Sequence, residues 1–316
     1  MSTVGAWLQL FRVRLLPTAW SNVWTGYALG IATAGAFTSD TLLSNAPRLA
    51  VLLVATACLY AIGMGLNDVR DRNRDRDLHP ERPLPRGAIT FGVACTALLA
   101  LAAIAISAGA WLGLDSLLWV AITLALIVAY DLGPKEHWLC GPLAMGSVRA
   151  THFLFGASTA LGSTPPGACV VAGVVVGGYV VLLTSLSQEE ETSRSEVLTR
   201  KARTLFWGLF LGLVGARALQ PIAPWWLAGI GIAIPTLYVG AHALRPLRET
   251  PPRAGWTTFL LLRGLLFLDL GILLIYDLAA AGAVTVLLWF SDYGFRALAA
   301  PRRPATPTGP TATSDG

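Results

Sequence analysis

Long apolar runs alternate with short polar stretches along nearly the whole chain. Most runs have close to the ~20 residues that an α-helix needs to cross the hydrocarbon core of a membrane. The pattern predicts an all-α polytopic membrane protein with nine transmembrane helices, or ten if the last run also crosses. The nine predicted spans are residues 15–34, 49–66, 88–112, 114–132, 139–161, 168–186, 204–219, 225–244 and 257–276, and the tenth run is residues 279–295.

The composition agrees with this fold class. Charged residues make up only 13% of the chain and hydrophobic residues 54%, whereas about 25% of the residues in a soluble domain are charged. The sequence pI near 9.3 is typical of nucleic-acid-binding proteins, but the basic residues lie in short loops between apolar runs. That placement follows the positive-inside rule, so we expect membrane lipid as a partner and no nucleic acid.

Basic residues concentrate in every second loop, which indicates the side of the membrane on which each loop lies. The basic loops hold Arg12 and Arg14, residues 70–86, Lys135, residues 194–203 and residues 245–253. The loops between them carry almost no positive charge apart from Arg48. We therefore predict that the basic loops face the cytoplasm, with the protein in a bacterial inner membrane. Residues 1–300 are predicted to form one domain, and residues 301–316, rich in Pro and Thr, a disordered tail.

The most polar stretch of the chain follows the second apolar run and contains Asn67, Asp68, Asp71 and Asp75. On a helix these four side chains fall within an arc of about 100°. Carboxylates that share one face repel each other unless a cation or protons neutralise them. Oxygen ligands of this kind suit Mg²⁺. The alternative is a solvated loop of mixed charge, because Arg and Asp also alternate on exposed helix faces.

The order of these residues resembles a known motif. The pattern N-D-x-x-D-x-x-x-D, followed by R-P-L-P-x-G at residues 82–87, looks like the first aspartate-rich motif of the UbiA superfamily of intramembrane prenyltransferases. The resemblance implies a bundle around a central cavity that opens to the cytoplasmic side. It also implies Mg²⁺-dependent transfer of a prenyl group from a polyprenyl diphosphate to an acceptor, which the sequence does not identify.

A second acidic motif is expected after the sixth run, and here the chain departs from the family pattern. The loop holds three adjacent glutamates, Glu189, Glu190 and Glu191, in place of two acids four residues apart. Adjacent residues spread over about 200° of a helix. At most two of them, Glu189 and Glu190 by preference, can therefore face a common site. The alternative is a helix end with solvated acids.

The resemblance assigns expected roles to individual residues. Asn67, Asp71, Asp75 and Lys135 are expected to be catalytic, and Asp68, Asp71, Asp75, Glu189 and Glu190 to bind Mg²⁺. Arg82 and Arg86 can donate charge-assisted hydrogen bonds to a diphosphate, and Arg14, Asn22 and Arg149 are further substrate-binding candidates because polar groups within or beside a span usually face a cavity or a partner. Lys135 is equally well explained as an interfacial lysine.

Three questions stay open at the level of sequence. Residues 141–158 are similar to a subgroup of the superfamily, the EboC-like proteins. The degenerate second motif leaves room for a catalytically silent lipid-binding scaffold. Intramembrane Arg and Asp also occur in transporters, although no internal repeat of interrupted helices is present and the densest charge lies at a membrane boundary.

Overall fold

The computed structural model describes residues 3–133, 135, 137–189, 195–244 and 254–299. Within those ranges the chain forms twelve α-helices and one short 3₁₀ turn, Val13–Leu15, and it has no β-strand. The helices are α1 Thr3–Leu10, α2 Leu16–Thr33, α3 Ser39–Ser44, α4 Ala46–Leu78, α5 Phe91–Leu112, α6 Leu114–Leu132, α7 Cys140–Leu161, α8 Gly167–Ser187, α9 Ser195–Leu219, α10 Trp225–Leu244, α11 Ala254–Ile275 and α12 Ala279–Ala299. The tail predicted to be disordered, residues 301–316, lies outside the described residues.

Each predicted span falls on one long helix, α2 or one of α4 to α12, and the all-α membrane architecture is confirmed. In the described part of the chain, seven helices are long and apolar enough to cross a membrane: α4, α5, α6, α8, α9, α10 and α11. The other three are not among these seven. α2 and α7 are less apolar, and Ala279–Ser291, the part of α12 whose side chains are described, is apolar but shorter than a full span. The count of nine or ten crossings therefore stays a prediction.

The helix α2 forms the centre of the bundle. Fifteen of its eighteen residues are buried, which is typical of a helix surrounded by others. It packs against α7 most closely, because small residues let the two backbones approach. A Cβ atom at Gly26 would overlap the carbonyl oxygen of Phe153, and one at Gly156 would overlap that of Val23. Such contacts are typical of helix pairs in membranes.

The helix α4 is longer than a membrane is thick. Its 33 residues extend about 50 Å at 1.5 Å per residue, compared with ~30 Å for the hydrocarbon core. The polar last third, residues 67–78, therefore projects beyond the apolar part as a regular helix. The chain then turns through residues 79–90, and Thr90 caps α5 by accepting a hydrogen bond from the Val93 backbone N–H at 3.4 Å.

The two ends of the bundle differ in charge. Arg12, the polar end of α4, Lys135 and Lys201 are brought together at one end by the contacts described below. At the opposite end Arg48, the exception among the weakly charged loops, donates to the carbonyl oxygens of Leu112 and Thr159 at 2.9 and 3.3 Å. Because these carbonyls belong to the last turns of α5 and α7, Arg48 satisfies helix C-termini.

Candidate active site

A cavity of about 320 Å³ opens beside the polar end of α4. Helices α4, α6 and α7 form its walls, and Arg12, which precedes α2, closes one side. Apolar and polar side chains both line it, an arrangement typical of small-molecule sites. The lining residues are Arg12, Leu59, Tyr60, Gly63, Met64, Asn67, Asp71, Arg74, Asp75, Leu78, His79, Arg82, Ile127, Tyr130, Asp131, Met145, Val148, Arg149 and His152.

Two carboxylates of α4 bind arginines. Asp68 is 4% exposed and accepts from the Arg12 guanidinium at 2.9 Å. Asp75 is 3% exposed and accepts from Arg82 at 2.6 Å. The same Arg82 nitrogen lies 3.7 Å from Asp68 and so bridges the two acids. Because acids three and four residues apart on a helix repel each other, these arginines stabilise the acidic face.

The third carboxylate binds the lysine that follows α6. The Lys135 ammonium donates to Asp71 at 2.6 Å and to the side-chain oxygen of Asn67 at 2.9 Å. The predicted catalytic residues Asn67, Asp71 and Asp75 line the cavity on one face of α4, as predicted, and Lys135 contacts two of them from outside the lining. Lys135 is engaged in the site, which distinguishes it from a solvated interfacial lysine.

Arg12 reaches Asp68 because of an unusual backbone conformation. Its φ of 45° and ψ of 44° lie in the left-handed region, which costs a non-glycine residue about 1–2 kcal/mol. The Tyr60 hydroxyl donates to the Arg12 carbonyl at 3.1 Å and helps to hold this conformation. Strain of this kind is often found at functional sites. Sequence analysis placed Arg12 only in a basic loop, since no local pattern encodes this turn.

The inner wall carries three polar side chains from α6 and α7. Arg149 donates to the Thr18 hydroxyl at 3.3 Å, and its other terminal nitrogen, Nη1, is buried without a hydrogen-bond partner among the described residues. His152 is 3% exposed and its Nε2 has no partner there either. Asp131 is 1% exposed, and neither of its oxygens has a hydrogen-bond partner in the described ranges. Sequence analysis assigned a role only to Arg149.

Three predicted substrate-binding residues lie away from the cavity lining. Arg14 is exposed, and its guanidinium lies 5.5 Å from the centre of the Phe259 ring. Arg86 is exposed on the turn after α4. Asn22 is fully buried in α2, where the neighbouring Ser21 donates to Asp269 at 2.6 Å. Proximity in sequence to a span or motif did not bring these side chains into the site.

The loop after α8 lies at the same end of the bundle as the acidic motif. Gln188 donates to the backbone carbonyl of Lys135 at 3.2 Å, so the two polar loops are in contact. Glu189, however, binds Lys201 at 2.7 Å and is not among the residues that line the cavity. Its pairing with a cation of α9 explains this placement. The other predicted ligand of this loop, Glu190, lies outside the described residues.

The residues at the cavity suit a divalent cation bound together with a phosphate group. In the described ranges no group of three or more His, Cys, Asp or Glu side chains is close enough to bind a metal ion alone. Mg²⁺ usually takes one or two carboxylates plus water and phosphate oxygens, so it does not need such a group. Asp71 and Asp75 line the cavity and are carboxylates of this kind.

Comparison with known proteins places the chain beside prenyl-transferring enzymes. The digeranylgeranylglyceryl phosphate synthase of Methanothermobacter thermautotrophicus is 34% identical over 136 residues, which is 42% of this chain and 46% of that protein. The chain thus spans about half the length of the curated relatives it matches.

Two solved structures share the overall fold. A UbiA homologue from Aeropyrum pernix K1 superposes with a TM-score of 0.61 at 18% identity, covering 83% of this chain and 96% of that one. A UbiA homologue from Archaeoglobus fulgidus bound to GPP and Mg²⁺ superposes with a TM-score of 0.53 at 16% identity, covering 92% and 99%. The EboC-like subgroup stays a prediction.

The family model extends over most of the bundle. The model described as the UbiA prenyltransferase family matches residues 28–262, a range that includes all of α4 to α10 and every cavity residue except Arg12. Together with the seven apolar helices, this match shows an integral membrane protein. The chain belongs to the UbiA prenyltransferase family.

Proposed function

We propose that the protein transfers a prenyl group from a polyprenyl diphosphate to an acceptor within the membrane and releases diphosphate. The observation that carries the proposal is the acidic face of α4, whose three carboxylates each bind a cation and two of which, Asp71 and Asp75, line the cavity. Such a site can exchange its internal ion pairs for a metal-bound diphosphate. Family membership and the GPP- and Mg²⁺-bound neighbour support the same reaction.

In this proposal substrate binding rearranges the charges of the site. Arg12, Arg82 and Lys135 turn from the carboxylates to the oxygens of the diphosphate, with which they form charge-assisted hydrogen bonds. Asp71 and Asp75 are then free to hold Mg²⁺, with Asp68 behind them. When bound, Mg²⁺ neutralises diphosphate charge and makes diphosphate a better leaving group. Without substrate the same cations keep the acids from repelling each other, which accounts for the pairing observed.

The apolar part of the lining suits the other end of the substrate. Leu59, Ile127, Met145 and Val148 line the cavity below the acids. Loss of diphosphate leaves an allylic cation, which water would capture, so the reacting carbon has to be shielded. Apolar side chains at this depth exclude water, and the ring of Tyr60, which also lines the cavity, can stabilise positive charge. Arg149 also lines the cavity, and its guanidinium can bind an anionic or polar group of the acceptor.

The acceptor, the membrane and the orientation are part of the proposal. The basic loops favour a bacterial inner membrane with the cavity mouth facing the cytoplasm. The acceptor is a molecule dissolved in that membrane. Because the curated relatives are named as synthases of digeranylgeranylglyceryl phosphate, this compound is the first product to look for.

Lipid analysis tests the proposal whatever the chemical identity of the acceptor. Lipids from cells that produce the wild-type protein, Asp71→Asn or no protein are compared by mass spectrometry. We expect a species larger by a whole number of isoprene units only with the wild type. Identical lipid profiles in all three strains, with the wild-type protein present in the membrane, would contradict prenyl transfer.

A catalytically silent lipid-binding scaffold is the second candidate. One observation favours it: Glu189 binds Lys201 and takes no part in the cavity lining. A scaffold of this kind would bind a prenyl diphosphate without releasing pyrophosphate. The lipid comparison therefore separates the two candidates, since the scaffold leaves no new prenylated species.

A further inference from the structure

One carboxylate of the cavity differs from the others in its surroundings. Asp131 lies in the last turns of α6 and is 1% exposed, and it lines the cavity. Neither of its oxygens has a hydrogen-bond partner among the described residues. Burying such a group without a partner is costly. A bound ion, a bound water or a catalytic role commonly explains an unsatisfied buried polar group in a native protein.

The three neighbouring acids each form an ion pair, which Asp131 does not do within the described part of the chain. Asp68, Asp71 and Asp75 each have a basic side chain at 2.6 to 2.9 Å. Lys135 is only four residues from Asp131 in sequence, yet its ammonium binds Asp71 and Asn67 instead. Asp131 is therefore a cavity carboxylate that no cation among the described residues pairs with by hydrogen bond.

The position of Asp131 complements the acidic face of α4. Helix α6 packs against α4, so Asp131 belongs to a different wall from Asp71, although both acids line the same cavity. A carboxylate from a second wall is what the site otherwise lacks in the described residues, because Glu189 is not among the residues that line the cavity. Mg²⁺ requires near-octahedral coordination, which donors from one helix face supply poorly.

We propose that Asp131 is a further Mg²⁺ ligand, contributed by α6 from the wall beside α4. In this role it replaces the acidic contribution that the loop after α8 does not make through Glu189. The inference rests on the proposed function, since Mg²⁺ enters the cavity together with a diphosphate. It explains both the missing partner of Asp131 and the binding of Lys135 to the opposite acid.

Metal binding by the full-length protein tests this role apart from catalysis. The protein is placed in lipid nanodiscs and titrated with Mn²⁺ in the presence of inorganic pyrophosphate, and free Mn²⁺ is measured by electron paramagnetic resonance. Asp131→Asn is nearly isosteric and removes an unpartnered charge, so we expect it to fold. We expect its affinity for Mn²⁺ to fall by about tenfold or more.

The control lies at the other end of the same helix. Asp115→Asn makes the same chemical change in the first turn of α6, away from the cavity lining, and should leave Mn²⁺ affinity unchanged. Asp131→Ser is a second neutral variant. Thermal unfolding shows which of the two position-131 variants folds, and the Mn²⁺ affinity of a folded variant decides the result. Wild-type affinity in a folded position-131 variant would overturn the inference.

The outcome is distinguishable from a failure of the proposed function. If Asp71→Asn loses Mn²⁺ while Asp131→Asn retains it, the metal-diphosphate site stands and only the role of Asp131 is wrong. If the wild-type protein itself binds no Mn²⁺ with pyrophosphate, the proposed function and this inference are both wrong. If Asp71→Asn and Asp131→Asn both lose affinity for Mn²⁺ while Asp115→Asn retains it, the result supports both the proposed function and this inference.

Discussion

Two lysines are present in the chain, and both bind a carboxylate at the same end of the bundle. Lys135 binds Asp71 at 2.6 Å beside the cavity, whereas Lys201 binds Glu189 at 2.7 Å outside its lining. The two pairs have nearly the same geometry but different surroundings. They therefore allow the effect of position to be separated from the effect of losing an ion pair.

We predict that Lys135→Met raises the KM for the prenyl diphosphate by about tenfold or more. A hydrogen bond to a charged group contributes about 1.5–3 kcal/mol, and the variant loses this interaction with the diphosphate. Lys201→Met should change KM less than about twofold, because partly exposed ion pairs contribute little. Initial rates against substrate concentration give both values. Equal effects of the two changes would show that Lys135 has no special role.

The residue scale also shows what the sequence can predict about the site. The spacing of Asn67, Asp71 and Asp75 was sufficient to place them on one face, because a regular helix fixes directions locally. Arg12 was not predictable as a site residue, since its left-handed conformation depends on Tyr60, 48 residues away. Asp131 gave only a weak signal, an acid at the end of an apolar run. Which cation pairs with which acid depends on the tertiary structure, because most of the partners are far apart in sequence.

At the scale of elements, the close contact between α2 and α7 supports the inner wall of the cavity. Gly156 lies against the backbone of Val23 with no room for a Cβ atom. The same two helices are joined near the cavity by the hydrogen bond from Arg149 to Thr18. A change that separates them should therefore alter both stability and the position of Arg149.

We predict that Gly156→Ala lowers the apparent melting temperature by roughly 3–10 °C, since overpacking costs about 1–3 kcal/mol or more. Gly178→Ala in α8 is the control, because nothing lies within 4 Å of a Cβ at that position. It should be neutral or slightly stabilising, as alanine favours helix. Thermal unfolding in detergent measures both. A melting temperature of Gly156→Ala equal to that of the control would contradict the close packing.

The elements were predictable to different degrees. The apolar runs located all ten long helices, because the cost of exposing backbone groups to lipid forces each run to be helical. Two polar residues within α2 and α7, Asn22 and Arg149, were evident from the sequence, but the surroundings that accommodate them were not. Residues such as Asn22 and His152 are tolerated there because other helices surround them. The short helices α1 and α3 have no comparable signal and were not predicted.

At the scale of the whole molecule, the proposed orientation has a direct test. Arg76, at the polar end of α4, and Asp40, at the start of α3, are both exposed. After replacement of the four native cysteines by alanine, single cysteines at these two positions are treated in intact cells with a membrane-impermeant thiol reagent. We expect Asp40→Cys to react and Arg76→Cys to be protected until the cells are lysed. The reverse pattern would contradict a cytoplasmic site.

The central claim is that the acidic face of α4 binds the metal-diphosphate and enables its release. The most direct measurement is Mg²⁺-dependent release of pyrophosphate from geranylgeranyl diphosphate by membranes containing the wild-type protein, Asp71→Asn or Asp115→Asn at equal protein levels. We predict release by the wild type and by Asp115→Asn that stops when Mg²⁺ is removed, and none above background by Asp71→Asn. Release by Asp71→Asn at the wild-type rate would contradict the account.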